Sequence, residues 1–380
     1  MKLAVVVRED IRHLPPILSL LSSLSRLGQD VTLVTGDASP IQGIEKGTGS
    51  IDVVEYGGSD NRNIVTIGLS WRRRNAFIRD FLIERGEEYD VVWIGSDITA
   101  RNVGNALGGL RYILQLHELI ERVPLVTRRG DVPLSSSAVP RIARGAWKVV
   151  VPEYNRAHIQ AVYWDLPRVP FVLPNKPAYQ PAEFGDLLKE YEEPYSLLQG
   201  EKSKVMLYQG AFGGDRDMEP FADAVAALNG EYALYLMGSI PNDAIRKRVD
   251  DLCSRENVHY LGFVDPPYHL RFTELAYVGL MPYTPGPAGY LSRLNALYCA
   301  PNKIWEYTRK GVPVVASDVP GLRSAIEAGG FGATMRGNTA DDVCAAVREV
   351  ESRHAEMSSA ALSFYQSVDY DALVAEILEL

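Results

Sequence analysis

The chain has 380 residues, enough for two domains of the usual ~100–150 residues each. It is 46% hydrophobic, 23% charged and 9% aromatic, which excludes wholesale disorder, and its formal charge of −9 argues against a general nucleic-acid binder. No apolar run approaches the ~18 residues of a membrane span, and Cys253, Cys299 and Cys344 have no spacing that sets out a disulfide framework or a zinc site.

The opening apolar stretch, Met-Lys-Leu-Ala-Val-Val-Val, meets Arg8, Glu9 and Asp10 and is too short for a signal-peptide core of ~7–15 residues. It reads as a first strand, and the cysteine usage points to a reducing, cytoplasmic setting. Short β-branched runs then alternate with helical-period segments. Strands are expected at 3–7, 31–35, 51–55, 90–94, 112–116, 149–151 and 169–173, with amphipathic helices at 16–27, 71–85 and 154–164. Runs apolar on both alternating positions belong to strands covered on both faces, as in parallel sheets with helical crossovers.

Pro174, Pro177, Pro181 and Pro194 punctuate the next stretch, so 175–203 is expected to be a linker with some helix, after a first domain of residues 1–174. Strands at 205–209, 233–237, 258–261, 279–282, 312–316 and 331–335 follow, with helices at 218–228, 243–253, 269–276, 302–310, 321–328 and 340–353. That second βα array makes a domain of residues 204–366, and residues 367–380 form a short closing helix. The fold class expected is α/β, two doubly wound Rossmann-like domains. Charge divides with them: residues 1–175 carry 21 basic and 19 acidic side chains, residues 176–380 carry 18 and 29.

The stretch from Ala300 to Ser317 carries the most chemistry. Pro301 suits a helix start, where its missing N–H is no loss. Free N–H groups of the first turn at Asn302, with Lys303 in that turn, make a positive pocket for phosphate oxygens. Glu306, three residues on, shares the face, and its carboxylate can accept two hydroxyl donors from a ribose diol. The bland alternative is a plain capped helix in a βα unit, ended by Gly311.

This stretch resembles the donor-site helix of GT-B glycosyltransferases, above all family 4. The family pattern has a glutamate five residues before Gly-x-Pro-Val-Val-Ala, which is Glu306 here, and the resemblance implies that it binds the ribose of a nucleotide-sugar. The family's first glutamate would stand at 298, where this chain has Tyr298. The chain instead resembles the variant written Pro-x-Lys-x-x-Glu-Tyr, which puts Lys303 on the diphosphate. Val205 to Gly210 resembles the first donor-domain strand, and the loop after it, with Gly210 and Gly213, offers Arg216 to the diphosphate. Asp215 and Asp217 also spell a metal-binding DxD, but are read as helix caps. The loop holding Phe263 resembles the one that contacts the base. Val368 to Asp371 followed by a helix matches the GT-B segment that crosses back to the first domain, and the fold implies a central cleft between the two.

In the first half, Val172-Leu-Pro-Asn175 resembles the motif closing the N-terminal domain. His117, at a strand's carboxyl end, matches a position where family members carry a histidine reaching the donor sugar; a lone histidine is as readily structural. The loop at 8–16 lacks the family's Gly-Gly but has His13, similar to the general base of inverting family 1 enzymes, with Asp10 or Asp97 to orient its other nitrogen. The helix at 71–82 has two readings as well. Its aromatics face the core and its arginines water, or the whole face lies on an anionic membrane near a lipid-linked acceptor.

The resemblance implies a metal-independent glycosyltransferase with no cofactor. It would move a sugar from a UDP- or GDP-sugar to a glycan or lipid-linked acceptor, in bacterial surface polysaccharide or glycoconjugate synthesis, at the inner face of the membrane. Retention is slightly favoured over inversion. A nucleotide-sugar 2-epimerase of the same fold is the alternative. An NAD-dependent oxidoreductase is the second, disfavoured because no G-x-G-x-x-G follows either first strand.

Overall fold

The computed structural model describes every residue except 12–13, 44–46, 57–63, 123–125, 130–131, 136–137, 180–186, 214–215 and 287–290. The chain divides into two compact units. One is Met1–Ala182 with Pro287–Asn295 and Asp369–Leu380; the other is Glu183–Gly286 with Ala296–Val368.

The first unit runs β1 (Lys2–Val6), α1 (Pro15–Arg26), β2 (Asp30–Thr35), β3 (Ile51–Glu55), α2 (Ile64–Arg85), β4 (Val91–Ile94), α3 (Asp97–Val103) and β5 (Tyr112–Gln115). It continues through β6 (Val126–Arg129), β7 (Val132–Ser135), α4 (Val139–Gly145), β8 (Lys148–Val151), α5 (Tyr154–Trp164) and β9 (Phe171–Val172). Seven strands form one parallel sheet in the order β3-β2-β1-β4-β5-β8-β9, and β6 and β7 pair antiparallel apart from it. Leu3, Ala4, Val5 and Val6 of β1 are all fully buried, as a central strand covered on both faces requires. The strand order reverses between β1 and β4, so the loops after these strands open a crevice at the carboxyl edge.

In α2 the residues Ile78, Phe81 and Leu82 are buried and Arg72, Arg73 and Arg79 are exposed. Arg74 turns inward and stands 5.3 Å from the ring of Tyr56.

The second unit opens with α6 (Lys189–Gln199), inside the stretch read as a linker. Then come β10 (Lys204–Gln209), α7 (Glu219–Ala227), β11 (Tyr232–Met237), α8 (Asp243–Cys253), β12 (Val258–Tyr260), α9 (His269–Thr273) and β13 (Val278–Met281). After α10 (Leu294–Leu297) follow α11 (Asn302–Arg309), β14 (Val314–Ser317), α12 (Pro320–Gly329), β15 (Gly332–Met335), α13 (Ala340–Ser352) and α14 (His354–Gln366). The six strands are parallel in the order β12-β11-β10-β13-β14-β15, a Rossmann order whose switch point lies between β10 and β13. Alternation along β10 builds two cores. Met206 and Tyr208 join Phe221, Val225 and Val347 on one face, while Val205 and Leu207 join Tyr307, Phe331 and Leu322 on the other.

The last helix, α15 (Tyr370–Leu378), belongs to the first unit, as the crossing-back expectation required. It buries Tyr370, Val374, Ile377 and Leu378. Arg26 holds Asp371 bidentately at 2.7 and 2.6 Å, and the buried Lys148 donates to Ile377 O at 2.7 Å and pairs with Glu379 at 2.8 Å. Helices α3, α4, α10 and α14 and the strands β6 and β7 have no counterpart among the elements expected from sequence.

Candidate functional site

The second unit concentrates its polar burial at the carboxyl ends of β10 and β13. Gly210 follows β10 with φ +127°, and a Cβ there would stand 2.8 Å from Lys303 Cε and 2.9 Å from Nζ. Glycine therefore lets the lysine lie across the strand end. Lys303, in the first turn of α11, is buried, with Nζ 3.4 Å from the Tyr283 hydroxyl. The ammonium also lies 5.2 Å from the Tyr208 ring and 5.4 Å from the Tyr283 ring. Arg216 stands 5.3 Å over the same Tyr283 ring. Two cations gathered on aromatic faces form a site suited to an anion. Pro301, the residue capping α11, supplies no side-chain acceptor to the first-turn N–H groups, and Asn302 begins that turn.

Glu306 is buried one turn deeper, and its partners were not foreseen from sequence. Gln209 Nε2 donates to Oε2 at 2.6 Å, and His269 Nε2 stands 3.1 Å from Oε1. Thr273 donates its hydroxyl to Gln209 Oε1 at 2.8 Å. Burial pushes the Glu306 carboxyl up, but His269, Gln209 and Lys303 outweigh it and hold the group below its ordinary value. It is thus an ionised carboxylate kept inside the protein. Tyr307, beside it, donates to Leu207 O at 2.8 Å and accepts from Gln209 N at 3.2 Å. A polar residue ending an apolar strand was a faint signal for Gln209; none marked His269, 37 positions upstream of Glu306.

The other residues expected here sit on neighbouring loops. Gly213 lies in the loop after β10, and Asp217 accepts from Glu219 N at 3.2 Å, turning the chain into α7. Asp215 lies outside the described residues. Phe263, 42% exposed, follows Gly262 at φ +83° beyond β12. Tyr298 packs its backbone against Gly321, where a Cβ would come within 2.9 Å of the tyrosine Cα.

The first unit has a second buried polar cluster, on the loops after β1, β4 and β5. The Arg8 side chain donates to Asn75 Oδ1 at 2.7 Å and lies 4.8 Å from the Trp71 ring. Glu9, absent from the sequence-based candidates, accepts from Ser96 Oγ at 3.0 Å and Thr99 Oγ1 at 3.1 Å, and burial raises its carboxyl above the ordinary value. Asp10 Oδ1 is 3.6 Å from Arg74 Nη1, in space left by Gly36, where a Cβ would come within 2.2 Å of it. Asp97, first in α3, is pushed up to about 7 by burial despite Arg101 at 3.7 Å.

His117 follows β5 with Nε2 2.7 Å from Gly95 O; Nε2–H is the donor, which leaves Nδ1 an acceptor with no partner among the described residues. Burial lowers its pKa against the pull of that carbonyl and Glu118, so it is neutral at pH 7. Residues 291–295, far along the chain, close on this loop. Asn295 accepts from Leu119 N and donates to Glu118 Oε2, each at 2.8 Å, and Arg156 joins His117 O to Asn295 O at 2.8 and 3.1 Å. His13 lies outside the described residues.

Among the described residues no group of three or more His, Cys, Asp or Glu side chains is placed to hold a metal ion, and no helix is long and apolar enough to cross a membrane.

Residues 203–352 match the family model described as glycosyl transferases group 1. Solved structures match along the whole chain. HepE of Anabaena, in complex with UDP and glucose, is similar at 14% identity over 100% of this chain and 98% of that one, with a TM-score of 0.67. WaaG, a glycosyltransferase involved in lipopolysaccharide biosynthesis, is similar at 12% identity over 99% and 98%, with a TM-score of 0.60. A Listeria monocytogenes protein described as a "putative UDP-N-acetylglucosamine 2-epimerase" is similar at 12% identity over 100% and 94%, with a TM-score of 0.56. No curated protein matches the chain. Along its whole length the chain has the GT-B fold of these glycosyltransferases, and over residues 203–352 its sequence matches the glycosyl transferases group 1 model.

Proposed function

We propose that the protein transfers a sugar from a UDP- or GDP-sugar to a hydroxyl acceptor. The observation that carries this reading is the buried, ionised Glu306 on one helix with Lys303, beside Arg216 at the switch point of the second sheet. The group 1 match over 203–352 and the UDP held by HepE support it. In this reading Glu306 accepts the ribose hydroxyls, while Lys303, Arg216 and the N–H groups at Asn302 hold the diphosphate. Gly210 and Gly213 let its oxygens approach the backbone, Phe263 meets the base and Tyr298 faces the sugar.

The chemistry follows from charge. As the glycosidic bond breaks, negative charge grows on the leaving diphosphate, and fixed cations stabilise that state more than the ground state. These groups do this without a metal. Under retention, the slightly favoured course, the leaving phosphate takes the acceptor proton and the neutral His117 positions the sugar. Under inversion, Asp10 or His13 takes it. The acceptor, a glycan or lipid-linked sugar of a surface polysaccharide or glycoconjugate, falls to the first unit, whose exposed Arg72, Arg73 and Arg79 suit an anionic inner membrane face. The second reading is a nucleotide-sugar 2-epimerase, favoured by the likeness to the Listeria protein.

A thermal-shift screen with UDP, GDP, ADP and dTDP and their sugars tests the donor assignment. One diphosphate should raise Tm in the wild type, and Lys303→Ala should weaken its binding by about 10–100-fold, the value of a charge-assisted contact. Equal binding by the variant removes Lys303 from the site. Turnover of UDP-N-acetylglucosamine with no acceptor present would favour the epimerase.

A further inference from the structure

Glu306 is withdrawn from water and then surrounded by donors, and the donors are themselves arranged. Gln209 Nε2 holds Oε2 at 2.6 Å, and Thr273 holds Gln209 Oε1 at 2.8 Å, which fixes which end of the amide faces the carboxylate. His269 Nε2 stands 3.1 Å from the other oxygen. His269 and Thr273 are the first and last residues of α9, four positions apart on one helical face, so one short element addresses both carboxylate oxygens. His269 is only 6% exposed, and neither ring nitrogen makes a regular hydrogen bond among the described residues; Nε2 meets the carboxylate as a 3.1 Å ion-pair contact, and a small turn of the ring aligns it as a donor. A histidine serving only the core ordinarily uses both nitrogens. This one has the Glu306 carboxylate as its near polar neighbour.

Each carboxylate oxygen accepts about two hydrogen bonds. The protein takes one on Oε2 through Gln209 and presents His269 to Oε1, which leaves one lone pair on each oxygen for a vicinal diol. We propose that His269 is a positioning residue of the nucleotide site, aiming Glu306 so that its two remaining lone pairs meet the 2′ and 3′ hydroxyls of a ribose. This rests on the reading of Glu306 as the diol acceptor. The Gln209–Thr273 relay fixes the second oxygen in the same way.

Calorimetric titration separates this role from a structural one. The ligands are UDP or GDP, whichever the wild type binds, and its 2′,3′-dideoxy analogue. The proteins are wild type, Glu306→Gln, His269→Ala, His269→Met and His269→Gln. The wild type should prefer the ribose form by about tenfold or more. His269→Ala and Glu306→Gln should each lose about tenfold on the ribose form and under about twofold on the dideoxy form. His269→Gln, which keeps an N–H near the Nε2 position, should recover most of the loss. His269→Met fills the volume without a donor, and replaces the alanine variant if that one fails to fold.

Equal loss on both ligands, or wild-type binding by the alanine and methionine variants, overturns the role of His269 while a ribose-selective loss in Glu306→Gln leaves the diol reading standing. If Glu306→Gln shows no such selectivity, or neither diphosphate binds, the diol reading itself falls.

Discussion

At the residue scale, burial decides which carboxylates keep their charge. Glu306 and Asp97 are both buried acids near a cation, yet they shift in opposite directions. Glu306 has the Gln209 amide and His269 on its oxygens, whereas Asp97 has Arg101 at 3.7 Å and its own backbone N–H, and its Oδ2 makes no hydrogen bond among the described residues. Desolvation therefore dominates at Asp97. Its folded-state pKa, about 7, lies above the ordinary 3.8, so the native state binds that proton more tightly than the unfolded chain. Stability is then lost as pH rises from about 4 to about 7 and is level above that. Asp97→Asn removes the loss. Urea unfolding at pH 4.5 and pH 8 should show the variant gaining on the wild type at the higher pH, by up to about 3 kcal/mol. A difference that does not change with pH would contradict the assignment.

Elements impose their own demands. Helix α11 places Lys303 and Glu306 over the end of β10 only because its next residue, Tyr307, is sunk against β13, where Gly279 leaves room for the ring. A Cβ at Gly279 would meet three ring atoms at 2.5 Å. Gly279→Ala should push the ring out, break the bonds of its hydroxyl to Leu207 O and Gln209 N, and cost about 1–3 kcal/mol. The urea midpoint should fall and diphosphate affinity with it; an unaltered midpoint would mean that the ring has somewhere else to go. The strand–helix alternation itself was legible, since β1 from Leu3 to Val6, β10 from Val205 to Tyr208 and β11 throughout are apolar, and α8 and α11 carry helical-period faces. Less legible were α3 and α4, seven residues each, too short to show a period, and α14, whose buried positions are only Met357 and Ala361.

For the whole molecule, the closing helix is the most testable feature. Removing residues 370–380 takes four buried side chains from the first unit and leaves Lys148 buried without Ile377 O or Glu379. At ~1.5–3 kcal/mol for each buried apolar side chain, the loss is of order several kcal/mol, an upper estimate for an extended reference chain. Calorimetry should show the first unit unfolding well below the full-length protein, and an unshifted transition would show that α15 contributes little there.

Residue order alone determined the two βα arrays, the helix start at Pro301 and the Lys303–Glu306 spacing, because periodicity and helix capping are local properties of the chain. Only tertiary structure brought Gln209 and His269 to Glu306, set Glu9 on Ser96 and Thr99, and carried residues 291–295 to the loop of His117. These contacts join positions from 37 to 177 residues apart. No local pattern records them; they exist because parallel strands, paired out of sequence order, deliver their carboxyl ends to one edge.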